Sequence, residues 1–246
     1  MATGTTIPTQ TTSLTSNDAA VLSALFDPES SPSSSISISN TAPRLPHIPN
    51  AILPHLQQRE ISAIQPLNTE SPPQPSIESS ISDLSVLINE YPKYAPAYLN
   101  RAQATRLLIR EETDLFHPRN NDLISRALSD LEKAISLASP SSPTEPLSDL
   151  QASLLAKAHT HRGYLFLKAS QAAHQAGLSL TTDLAGLSAE ELEEMASKDF
   201  SLGGKYGNKT AREMSIKTNP YAKMCGAIVK EAMRKEREDY ARGLIQ

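Results

Sequence analysis

Two short helical stretches carry the side chains best suited to hold another molecule. The first, APAYLNRAQATRLLIR, places Asn100 beside Arg101; the second, AKAHTHRGYLF, carries Lys157, His161 and Arg162. Asn, Lys, His and Arg all donate hydrogen bonds. The Asn-Arg pair is either an ordinary solvated helix edge or part of a surface built to hold another chain. Catalytic constellations were sought beside them. GGKYGNKT, Gly203–Thr210, approaches a phosphate-binding loop, but Asn208 stands where the second glycine belongs and no strand pattern precedes it. That motif needs a strand, a glycine loop and a helix together, so the octet reads as a tight turn between helices. His159 and His161 are two residues apart, about 200° around a helix, and cannot share a metal. Cys225 lies on the apolar face of a helical pattern with no His close in sequence, which predicts a buried structural thiol. No Gly-x-Ser-x-Gly is present. The expectation is a chain with no catalytic residue, no metal and no cofactor.

Composition narrows the partners. The formal net charge is −4, which gives no field for nucleic acid or an anionic membrane. A single cysteine excludes an internal disulfide and fits a reducing compartment. No apolar run reaches the ~18 residues of a membrane span. MATGTTIPTQTTSLTS has no apolar segment and no Lys or Arg, unlike a secretory signal. The cytoplasm is the expected location, with the nucleus as a second compartment.

The elements that must position these residues are helical. Few glycines and a Leu/Ala/Ile-rich apolar set favour an all-α fold. Proline and serine crowd the segment from Pro28 to Pro75, a composition that cannot offset the entropy of ordering. Residues 1–76 are therefore expected to be mostly disordered. One short helix near 17–27, NDAAVLSALFDPE, interrupts them, with Asn17 or Asp18 as cap and Asp27-Pro28 as stop. SSSISISN alternates Ser and Ile but is too short to be more than linker. From Ile77 onward apolar residues recur at helical spacing: Ile77, Ile81, Leu84, Leu87 and Ile88, then Ile124, Leu128, Leu131 and Ile135. Ser148 to Gly177 reads as one long helix, and Ser188 with Glu191 forms a capping box for the next. Helix 220–242, opened by Pro220, is expected to lay Met224, Cys225, Ile228 and Ala232 over the exposed end of the array as a cap.

Aligning these helices exposes an internal repeat. Ala127, Leu131 and Ala134 supply small, large and small residues in a second helix, and Tyr98 with Ala102 fits the matching first helix. Gly163 opens a third unit that resumes at Ala196, Phe200 and Gly203. Small residues at such positions let antiparallel helices approach closely. The pattern resembles the tetratricopeptide repeat (TPR), here about three degenerate units over 77–246 with insertions at 110–122 and 171–191. The order of NDAAVLSALFDPE, AYLNRAQATRLL and NPYAKMCGAIVKEAM around those repeats resembles the tetratricopeptide repeat protein thirty-six family, in a fungal-style version.

That resemblance implies a short all-α helical solenoid and a non-catalytic adaptor. It also implies a co-chaperone-like role and a link to tyrosine metabolism, with a protein partner that is a cytosolic heat-shock chaperone or a metabolic enzyme. TPR co-chaperones grip C-terminal carboxylates with Lys and Asn on the first helix, Asn on the third, and Lys and Arg on the fifth. Asn100 matches the third-helix position and Lys157 one fifth-helix position, while His161 occupies the other with Arg162 beside it. Gln65 and Thr69 fall at the first-helix positions, so half a clamp is expected. The alternative is a structural subunit packed permanently in a larger complex.

Overall fold

A computed structural model describes residues 36–39, 41–111, 115–142, 144–174 and 184–243. The expected helix near 17–27 and residues 175–183 of the second insertion lie outside them. The described residues are helical, in the order α1 (Leu53–Ile64), α2 (Gln74–Glu90), α3 (Ala95–Leu107), α4 (Asn121–Ala138), α5 (Asp149–Ala173), α6 (Ala189–Lys205), α7 (Lys209–Thr218) and α8 (Pro220–Gly243). Short 3-10 turns follow α1 at Gln65–Leu67 and precede α4 at Pro118–Asn120.

The helices pair as antiparallel units, α1 with α2, α3 with α4, and α5 with α6, stacked into a short TPR-like solenoid. Its core is the expected set: Leu84, Leu87, Ala102, Ala127, Leu131, Ala134, Ala196 and Phe200 are buried. Close approach explains the glycines. A Cβ on Gly163 would come within 3.2 Å of the Ala196 carbonyl and of Asp199 and Phe200, and one on Gly203 within 2.7 Å of Thr160 Oγ1. GGKYGNKT is the α6–α7 turn: Gly207 has φ +103° and Asn208 accepts from the Ala211 N–H as the α7 cap.

Three expectations are corrected. Residues 45–76 are not disordered: Leu45, Ile48, Leu53 and Leu56 are buried and α1 supplies the missing first helix. Its prolines sit at helix ends. Pro54 is in the first turn of α1, Pro66 opens the turn that ends it, and Pro75 is in the first turn of α2. There the ring costs no hydrogen bond and its fixed φ suits the helix. Next, α8 forms where expected, but among its described residues the apolar face is uncovered: Met224, Ile228 and Met233 are 55%, 60% and 61% exposed. Cys225 on the same helix is exposed rather than buried. SSSISISN forms no strand over its described residues, as expected, but Ile38 makes an isolated parallel bridge to Leu147, just before α5. Ser39 N–H donates to the Leu147 carbonyl and Leu147 N–H to that of Ser37, both at 2.8 Å. Ser148, which caps α5, also donates its hydroxyl to the Arg44 carbonyl at 2.6 Å.

Candidate functional site

In a stack of helix pairs the first helices line one face. Here α1, α3 and α5 form a groove of about 580 Å³ among Glu60, Ile61, Leu99, Asn100, Leu154 and Lys157. It continues into a second hollow of about 620 Å³ that includes Arg106, Thr160, His161, Tyr164 and Asn208. Gln103 and Lys157 line both, so the two are one surface.

The polar centre of the first hollow is Glu60, which is partly buried. The Tyr94 hydroxyl donates to one carboxylate oxygen and Asn100 Nδ2 to the other at 2.5 Å. Tyr94 is fully buried, and packing at the α3 start holds it in place. Burial pushes the Glu60 carboxyl above its usual range; the bonds from Tyr94 and Asn100, and the nearby Lys157 charge, offset only part of that. The same burial, with Glu60 adjacent, raises the Tyr94 phenol.

His161, on α5, is unusual in the opposite sense. Both ring nitrogens are buried without a hydrogen-bond partner. Burial, with Arg106 nearby, lowers its pKa to about 4, so it is neutral at pH 7. Arg106 itself stacks over the Tyr164 ring at 5.9 Å.

No family model matches the chain. Tetratricopeptide repeat protein 36 of Xenopus tropicalis is 28% identical over 230 residues, spanning 91% of this chain and 89% of that protein. The Danio rerio protein of the same name is 26% identical over 221 residues, 90% of this chain and 94% of its own length. The L-tyrosine degradation gene cluster protein hmgX of Aspergillus fumigatus is 49% identical over 253 residues, 97% of this chain and 99% of that protein. The chain belongs to the tetratricopeptide repeat protein 36 family.

In this member of the tetratricopeptide repeat protein 36 family the sequence-predicted site residues separate into two sets. Asn100, Lys157 and His161 line the groove. Arg101 and Arg162 do not. Arg101 turns between the second helices, bonding Asp130 at 2.7 and 2.8 Å and Ser85 at 3.0 Å. Arg162 makes a two-pronged contact with Asp199 at 2.7 and 2.9 Å, and His159 Nδ1 bonds the same carboxylate at 2.8 Å. Burial alone would raise the Asp199 carboxyl, but Arg162 and His159 outweigh it and hold it below the usual range. The Tyr206 ring stacks on His159 at 5.8 Å. These arginines lock neighbouring helices together.

The first-helix clamp positions are also corrected. Gln65 and Thr69 lie beyond the end of α1, and the groove instead receives Gln57, Glu60 and Ile61. A carboxylate therefore stands at the side of the groove where a clamp carries a cation. Sequence reasoning missed Glu60 because it missed α1. One signal was available: Tyr94 follows Glu60 by 34 residues, one repeat period.

Proposed function

We propose that this chain is a non-catalytic adaptor that holds a segment of a protein partner along the α1–α3–α5 groove. The observation that carries the reading is the groove itself. It joins an apolar floor to a partly buried carboxylate, an exposed lysine and an arginine, across three helices of a fold used for peptide recognition. The hmgX relative's name supports a working context in tyrosine degradation, with a metabolic enzyme or a chaperone as the partner class. The cytoplasm, or the nucleus, is the compartment that fits such a partner.

The half clamp does not support tight capture of a free C-terminal carboxylate, because Glu60 would repel it. The permanent-subunit reading draws on one observation, the uncovered apolar residues of α8. Gln103 is exposed at the junction of the two hollows, so Gln103→Trp fills the groove without disturbing the core. Wild type and Gln103→Trp are compared as baits in native cytosol, with circular dichroism as the folding control. The adaptor reading expects partners that Gln103→Trp loses. Identical captures by both baits would move the binding surface off the groove.

A further inference from the structure

We infer that the groove selects a segment carrying a basic group and an acidic group together, with the base seated on Glu60 and Asn100 and the acid on Lys157 and Arg106. The inference rests on the adaptor reading above and specifies what the adaptor reads.

Hydrogen-bond bookkeeping at Glu60 carries the first half. A carboxylate accepts and cannot donate. Because Asn100 gives its Nδ2 to Glu60, its amide orientation is fixed and Oδ1 is the end left open. Each Glu60 oxygen uses one lone pair, on Tyr94 or Asn100, and keeps another. This end of the groove therefore presents acceptors. Its natural complement is an ammonium or guanidinium group. A carboxylate brought there would meet a like charge in a partly desolvated site.

The second half lies further along the same face. Arg106 follows Asn100 by six positions on α3, about 9 Å along the axis. Its guanidinium is oriented by the Tyr164 ring, and Lys157 of α5 lines the hollow with it. Arg and Lys only donate. Lys157 lies near enough to Glu60 to act as its counter-charge while the groove is empty. A ligand with both charges replaces that one attraction with a pair at each end. An extended segment covers about 9 Å in about three residues, which sets the separation of its base and acid. Ile61, Pro96, Leu99 and Leu154 receive the apolar side chain between them.

The probe is a random peptide library displayed on phage, of about a dozen residues per member, a length that an extended chain at ~3.3 Å per residue needs to cross such a groove. It is panned against the full chain as wild type, Glu60→Gln and Lys157→Ala. Wild type should enrich sequences that join Lys or Arg to Asp or Glu about three residues away. Glu60→Gln should drop the preference for the base by about tenfold or more while keeping that for the acid, and Lys157→Ala should do the reverse. If either variant fails to fold, the enriched peptide is resynthesised with its base or its acid replaced by Gln, and anisotropy with wild-type protein reads the same two losses. Enrichment of acidic peptides lacking a base, or a base preference that survives Glu60→Gln, would overturn the inference and leave the groove as a binding site. No enrichment on wild type would overturn the adaptor reading and this inference with it.

Discussion

Asp199 shows how much of this chain's polar chemistry is structural. The carboxylate is buried and holds two partners from α5, Arg162 and His159. Removing one member of a buried pair leaves the others uncompensated, at a cost of about 3–5 kcal/mol. Asp199→Asn should lower Tm sharply, and Asp130→Asn, whose carboxylate is more exposed (10% against 4%) and answers one guanidinium rather than a guanidinium and an imidazole ring, should lower it less; thermal melts rank the two. His161 adds a pH dependence. Its folded pKa, about 4, lies below the ordinary 6.5, so the unfolded chain binds the proton more readily. Stability from this source is complete above about pH 6.5 and falls as the pH drops toward 4, by at most about 3 kcal/mol. Urea titrations of wild type and His161→Leu at pH 7 and pH 5 should differ in slope with pH, the variant losing less. Sequence reading marked Asn100, Lys157 and His161 as groove residues, and all three line it. It could not separate them from Arg101 and Arg162, because the carboxylates that claim those arginines lie 29 and 37 residues away.

At the scale of elements, helices with a clean 3.6-residue stripe were legible, and α1, set among clustered prolines, was not. α2 and α4 follow the apolar spacing of Leu84, Leu87 and Leu131. α1 was hidden because Pro54, Pro66 and Pro75 read as breakers when they are counted, and as punctuation only once the helix ends are known. The failure at α8 has another origin. Its amphipathic pattern predicts a helix with something on its apolar face, but the pattern cannot say that the something belongs to the same chain. Ile228 is exposed, so Ile228→Asp should change Tm by no more than a surface substitution does, within about 0.5 kcal/mol. A drop of several degrees in a thermal melt would show the helix docked on the array in solution.

On the scale of the whole molecule, the packed body reaches well to the N-terminal side of the repeat pattern. Residues 36–48 contribute Leu45 and Ile48 to the core and a bridge to Leu147. Limited proteolysis should therefore leave residues 36–76 protected together with the repeats, and a stable fragment starting near Ile77 would contradict this. That leading segment has a mechanical consequence. A repeat stack touches only its neighbours and bends like a spring, opening and closing its inner face. Here one strap is fastened to the start of α5 by Leu147 and the Ser148 hydroxyl, then runs directly into α1. The two walls of the groove are thus tethered at one end by a short chain, and its inner width is set before any guest arrives. Less of the guest's binding energy then goes into shaping the host. Cutting the strap with Ser148→Ala and a proline at Ser39, whose N–H the bridge needs, would turn a fixed-width channel into an elastic one.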